Sequence, residues 1–202
     1  FAGVLNPAMS QLHAFVSEYS ARDQPWRYLF QTTDVIMGTL LCLAGLATLV
    51  WARHRPLGRQ GWSGVGFVAG GFFSVLDALV TMDCSPTRSQ ACMAAEEAGH
   101  VSVNHIVHVG TSTIVVVGFA LPILLLNSTM TRFRGFGLVV TWAWVVFTLL
   151  NGIGAVGWFV GTPMDYTGIW QRFSLGLGTL WWLILAADDI VTARVQDRAR
   201  SC

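Results

Sequence analysis

His105 and His108 lie three residues apart inside an apolar run, and Ser112 follows four residues after the second. On a helix that spacing turns all three side chains to one face. Asp34 and Asp77 are embedded in two other apolar runs. Two imidazoles and a carboxylate are a donor set for a divalent metal. Asp77, His105 and His108 would give zinc three ligands and leave a fourth position for water. The same groups have a plainer use. Ionisable side chains are costly in hydrocarbon, and hydrogen bonds from His to Asp34, Asp77 or backbone carbonyls would lower that cost while holding helices together. A third use is a path for protons or substrate. His-x-x-His alone does not choose among these. It does argue against a haem carrier, which needs His residues facing across helices.

The depth of these residues carries more information than their types. Asp34 is about six residues inside its run, Asp77 about five residues short of the end of its own, and His105 and His108 about four and seven residues inside theirs. At 1.5 Å per residue, they fall within roughly 10–14 Å of one membrane boundary. Asn104, Asn151, Gln171 and Arg172 belong to the same half. The other half holds almost nothing ionisable before Asp188 and Asp189. This asymmetry predicts a polar pocket of Asp34, Asp77, Asn104, His105, His108 and Arg172 that opens to one face. Arg172 is expected to neutralise Asp34 or Asp77; binding a lipid phosphate is its other use.

The elements that must position these groups are apolar helices. Of the 202 residues, 53% are apolar and 11% charged, against about 25% charged in soluble domains. Mean hydropathy is positive. A disordered chain, a soluble globule and a nucleic-acid partner are excluded. Runs at about 28–52, 62–82, 101–126, 136–160 and 169–191 are each long enough to cross a bilayer. The apolar stretch Phe1–Leu5 reads as the end of one further span, truncated at the start of the chain. The expected fold is therefore an all-α, polytopic transmembrane bundle of about six spans in one domain. Gly66-x-x-x-Gly70 and Gly157-x-x-x-Gly161 are suited to close helix packing. Met9, Leu12, Phe15, Val16 and Tyr19 recur at helical spacing after Asn6-Pro7, which predicts an interfacial amphipathic helix over about 7–20; an irregular lid is the alternative.

Basic residues set the orientation. All twelve are Arg. Arg53, Arg55, Arg59, Arg132, Arg134, Arg194, Arg198 and Arg200 fall on one side, and Arg22, Arg27, Arg88 and Arg172 on the other. The positive-inside rule places the C-terminus in the cytoplasm and residues 6–27, 83–100 and 161–168 outside. Trp26, Trp51, Trp62, Trp158 and Trp170 sit where spans should meet water. Cys84 and Cys92 share the outer loop, where oxidation is permitted, and are expected to form a disulfide that restrains the unfolded loop by roughly 2–3 kcal/mol. Cys42, inside a span, reads as a small packing residue.

Three dispersed stretches carry a resemblance. They are Val16-Ser17-Glu18-Tyr19 with Gln24-Pro25-Trp26, then Ser102-Val103-Asn104-His105-Ile106-Val107-His108, then Gly168-Ile169-Trp170-Gln171-Arg172 with Trp181-Trp182. With them the chain resembles the DUF998 family of six-span bacterial membrane proteins. The resemblance implies six helices in the bacterial cytoplasmic membrane and an outer-facing polar cluster; it adds no reaction. Two functions fit. The first is a non-catalytic multi-pass protein that binds membrane lipids or serves as an accessory subunit of a larger membrane complex; short loops and the lack of a complete catalytic set favour it. The second is a metal-dependent intramembrane hydrolase of an outer-leaflet lipid, built on Asp77, His105, His108 and Ser112.

Overall fold

A computed structural model of the chain describes residues 2–53, 58–159 and 166–200. Phe1, His54, Arg55, Gly161, Asp165 and Cys202 lie outside these, and with them the middle of the 53–61 connection and most of the 161–168 connection. The described residues are helical or irregular. A single turn, α1 (Ala2–Leu5), precedes an irregular stretch with a short 3-10 helix at Val16–Ser20. Then follow α2 (Arg27–Ala52), α3 (Arg59–Leu79), the short α4 (Gln90–Glu97), α5 (Val103–Leu126), α6 (Arg134–Phe159) and α7 (Thr167–Arg200). All of the last six but α4 are long and apolar enough to cross a membrane.

Hydropathy located these helices to within about three residues at most ends. The exception is the end of α7, which runs on to Arg200 instead of stopping near 191. The last turns carry Ala193, Arg194 and Gln196, which are polar or small but favour helix, so the apolar pattern ends before the helix does.

The packing divides the bundle. α3 lies between α2 and α5, while α6 packs on α7. Small residues allow the first set to close. A Cβ on Gly118 of α5 would stand 2.5 Å from Gly70 Cα and 3.0 Å from the Gly66 carbonyl oxygen of α3. Pro122 lies one turn beyond Gly118 and has no N–H to offer its carbonyl; the backbone of Gly66 approaches that oxygen instead. On the other side of α3, Gly71 abuts Gly38 and Cys42 of α2, and the Cys42 thiol is 3.5 Å from the Val68 carbonyl.

The two sets are joined near the Arg-rich end. Phe67, Ile123, Leu126, Val140, Trp144, Trp181 and Ile184 form a buried cluster contributed by α3, α5, α6 and α7. Trp181 is fully buried and donates its Nε1–H to Asn127 Oδ1 at 3.0 Å. Asn127 donates in turn to Thr141 Oγ1 and to the Ile123 carbonyl. Asp188 accepts from the backbone amides of Thr131, Arg132 and Phe133 at 2.9, 2.6 and 2.8 Å. Those amides precede α6, so an acid on α7 caps the entry of its neighbour.

At the opposite end a lid, residues 6–26, covers the bundle. It is not the continuous amphipathic helix expected over 7–20. Its backbone makes isolated turns, and several of its backbone groups bond to side chains or to α7 instead of forming a helical ladder. The Leu12 carbonyl accepts from Ile169 N–H, the Val16 amide donates to Gln171 Oε1, and the Phe15 amide donates to Glu18 Oε1. Asn6 does not cap a helix with its side chain, which donates to Gln24 Oε1 at 2.6 Å. Met9, Ala14 and Tyr19 bury the apolar side of the lid, with Phe30 of α2 packed against them.

Candidate functional site

Asp77 and His108 meet between α3 and α5, as their matching depths predict. Asp77 lies in the last turn of α3, where carbonyls lack helical partners. His108 Nδ1 is 3.1 Å from the Asp77 carbonyl oxygen, 2.9 Å from that of Val80 and 3.3 Å from Asp77 Oδ1. All three are acceptors, so Nδ1 carries the proton and His108 caps the end of α3. The Asp77 carboxylate also accepts from the Thr111 hydroxyl and, at 3.0 and 3.1 Å, from Ser112 Oγ. Ser112 therefore serves the same carboxylate as His108 and is not hydrogen-bonded to the imidazole.

His105 shares a helix face with His108 but takes different partners. Its Nδ1 accepts from the Asp83 amide at 3.3 Å, which leaves the proton on Nε2, 3.7 Å from Glu96 Oε1. The two rings thus hold opposite tautomers. Asp83 organises the start of α5: its carboxylate accepts from the Ser102 amide at 2.6 Å and hydroxyl at 2.8 Å, and Ser102 Oγ accepts from the His105 amide. Burial pushes the Asp83 carboxyl up, but the two Ser102 donors, Arg22 at 3.3 Å and His105 outweigh it and hold it below the usual range.

The remaining expected pocket residues scatter. Asp34 is on the exposed surface of α2, within electrostatic reach of Asp77 and His108. Asn104 is half-buried beside His105 and takes no part in these hydrogen bonds. Arg172 does not neutralise Asp34 or Asp77. It turns to the lid, donating to the Ala14 carbonyl at 2.9 Å, the Gly168 carbonyl at 2.8 Å and the Tyr19 hydroxyl at 3.3 Å, over whose ring it lies. The Ala14 carbonyl of the irregular lid gave it an acceptor that a helical 7–20 segment would not have offered, and the Gly168 carbonyl lies one turn back on its own helix. Among the described residues no three His, Cys, Asp or Glu side chains converge as a metal set. Asp77 faces the Nδ1 side of His108, so its carboxylate would orient the ring for any ion on Nε2.

A cavity of about 280 Å³ opens between α5 and α6 beneath the lid. Val109, Ser112, Thr113, Val116 and Val117 form one wall; Thr148, Asn151, Gly152 and Ala155 form the other. Phe15, Ser17 and Glu18 of the lid, Met82, Pro86 and Glu96 of the 80–102 segment, and Gln171 of α7 close its polar end. His108 is 2% exposed and lines this cavity; its Nε2 has no protein partner among the described residues, and neither does the buried Asn151 Oδ1.

The roof rests on Glu18, which the sequence reading had not singled out. It is 1% exposed. Its carboxylate accepts from the Ser85 hydroxyl, from the Thr87 hydroxyl at 2.5 Å and amide at 3.1 Å, and from the Phe15 amide at 3.0 Å. Burial raises its pKa, against the lowering effect of these donors. Ser85 and Thr87 belong to the loop closed by the Cys84–Cys92 disulfide, whose Cα atoms are 6.0 Å apart. The α6 wall was also missed, apart from Asn151. Its signal was the spacing of Thr148, Asn151, Gly152 and Ala155, a stripe of small or polar residues along one face of an apolar helix.

No curated protein and no solved structure matches this chain. The family model described as "Protein of unknown function (DUF998)" matches residues 1–188, which is nearly the whole sequence, and the chain belongs to the DUF998 family.

Proposed function

We propose that this protein is a non-catalytic multi-pass protein of the bacterial cytoplasmic membrane that holds a lipid between α5 and α6. The lid end faces outside and the C-terminus lies in the cytoplasm, on the arginine distribution. One observation carries the reading: the cavity is mostly apolar along the spans, where Val109, Val116, Val117, Gly152 and Ala155 stand among a few hydroxyl and amide groups, and Glu18, Glu96 and Gln171 stand at its lid end. That is the polarity profile of a lipid chain below its head. Attachment to a larger membrane complex is compatible with it, since α2 packs on α3 and otherwise exposes Ile36, Met37, Leu40, Leu43 and Val50.

Gly152 gives a direct test. It lines the cavity, and a Cβ there meets nothing within 4 Å. Gly152→Phe should fill the space with little change in melting temperature. A photoactivatable long-chain lipid added to the full protein in nanodiscs should crosslink to the 109–117 and 148–155 segments, and the variant should lose that crosslink. Equal labelling of both proteins would refute the reading. For topology, labelling of a cysteine at the exposed position 132 should fail from outside intact cells; ready labelling would reverse the orientation.

A second reading keeps its support from the Asp77–His108 pair. A carboxylate at Nδ1 and an open Nε2 facing a cavity are the arrangement of a general base. Hydrolysis of an outer-leaflet lipid, with or without zinc on Nε2, would show as turnover abolished by Asp77→Asn. Stoichiometric zinc in the purified protein would favour the metal-dependent form.

A further inference from the structure

The cavity's hydrogen-bonding groups specify the head of its ligand, on the reading that a lipid occupies it. His108 Nδ1 gives its proton to backbone carbonyls, so Nε2 presents a lone pair. Asn151 Oδ1, on the opposite wall, is a second buried acceptor with no partner among the described residues. The lining hydroxyls beside them already have partners: Ser112 gives its proton to Asp77, Thr113 gives its own to the Val109 carbonyl, and Thr148 shares a hydrogen bond with Ser174. The lining includes Glu18 and Glu96 and contains no Arg. Such an end repels a phosphate or carboxylate head and has acceptors waiting for protons. Leaving those acceptors unmatched is costly in a buried site, and a ligand with hydroxyl donors removes that cost.

We propose that the cavity selects a lipid alcohol, an uncharged amphiphile whose hydroxyls donate to His108 Nε2 and Asn151 Oδ1 while its chain runs inward past Val116 and Val117. Only hydrogen bonds form; no covalent step is involved.

The test uses the full chain in phosphatidylcholine nanodiscs, with three probes of one chain length: a monoacylglycerol, the fatty acid and a lysophosphatidic acid. Retention of each is read by native mass spectrometry. The monoacylglycerol should be held at least about tenfold more tightly than either anion. Asn151→Leu removes an acceptor that no protein group uses, and it should reduce monoacylglycerol retention about tenfold while leaving the fatty acid unchanged. Equal retention of all three, tighter retention of an anion, or an Asn151→Leu protein that binds the monoacylglycerol as before would overturn the selectivity and leave the lipid-holding reading intact. Failure to retain any of the three, with Gly152→Phe indistinguishable from the unaltered protein, would overturn both.

Discussion

Replacing Glu18 with alanine should release the lid from the disulfide-closed loop. Four donors converge on this buried carboxylate. The Ser85 and Thr87 hydroxyls can rotate to other acceptors. The Phe15 and Thr87 amides are fixed by the backbone and would be left unmatched. An orphaned buried donor costs about 1–3 kcal/mol, so two of them give about 2–6 kcal/mol. Removing a carboxylate that is itself strained by burial returns part of this, which leaves about 2–3 kcal/mol of lid docking. At tenfold per 1.4 kcal/mol, that is a rise of roughly 30- to 150-fold in lid opening. Hydrogen exchange of peptides covering residues 10–26, in nanodiscs, reads it directly. Protection that stays within about threefold of the unaltered protein would refute the assignment of Glu18 as the lid's anchor. The pH dependence has a definite sign. Glu18 titrates above its unfolded value, near 4.3 for a free side chain (about that figure in peptides), so the folded lid keeps its proton longer than the unfolded one. After correction for intrinsic exchange, lid protection should therefore decline as pH rises from acid through the folded pKa, and Glu18→Ala should flatten that decline.

Other changes should act elsewhere. Asp83 titrates below its unfolded value, about 3.9, so its contribution is complete above that pH and disappears as pH falls through the folded pKa; Asp83→Asn should flatten the acid limb of a stability curve, and an unchanged limb would refute its role at the start of α5. Gly118→Val would drive a side chain into backbone atoms of Gly70 and Gly66, and should cost about 3 kcal/mol; an unchanged melting temperature would contradict the close α3–α5 approach. Asp188→Ala leaves three amides before α6 without their acceptor and should destabilise by about 3–5 kcal/mol, measurable as loss of folded protein in a thermal scan, with Asp188→Asn less severe.

Depth was the legible part of the site. Asp77 and His108 lie at matching depths because the spans carrying them are antiparallel neighbours joined by residues 80–102, and counting inward from that connection equalises their depth. Their contact needs little beyond topology. The tautomers were not legible, because they depend on the last carbonyls of α3, which no side-chain pattern records. Arg172 was misassigned for a related reason. A span-by-span reading counts carboxylates as the acceptors for an arginine, whereas the carbonyls that receive it come from Ala14 and Gly168. The lid looked helical because Met9, Leu12, Phe15 and Tyr19 repeat at helical spacing, yet tertiary hydrogen bonds to α7 claimed the backbone groups that a helix would have used. Glu18 is one of several acids outside the apolar runs, with Asp23, Asp83, Glu96 and Glu97. Nothing local separates it from Asp23 or Glu97; its burial follows only once the 84–92 loop folds over it.

The positions of the hydrogen bonds explain how an unfilled space can persist between α5 and α6. Near the Arg-rich end, Trp181, Asn127, Thr141 and Asp188 tie α7 to the α5–α6 connection and to α6. At the lid end the ties run above the cavity instead of across it. Val16 bonds to Gln171 on α7, while Glu18 bonds to Ser85 and Thr87, two residues apart in the lid. Between these levels, the polar side chains of α5 turn inward to α3, as Asp77, His108, Thr111 and Ser112 satisfy one another. Little polar attraction then remains to draw α5 onto α6, and hydrocarbon walls gain little by closing when lipid tails are the alternative solvent. The space is kept open by where the polar groups were matched. Opening it to the outside requires breaking the lid's ties to α7, made by Leu12, Ala14 and Val16, or the ties of Glu18 to Ser85 and Thr87.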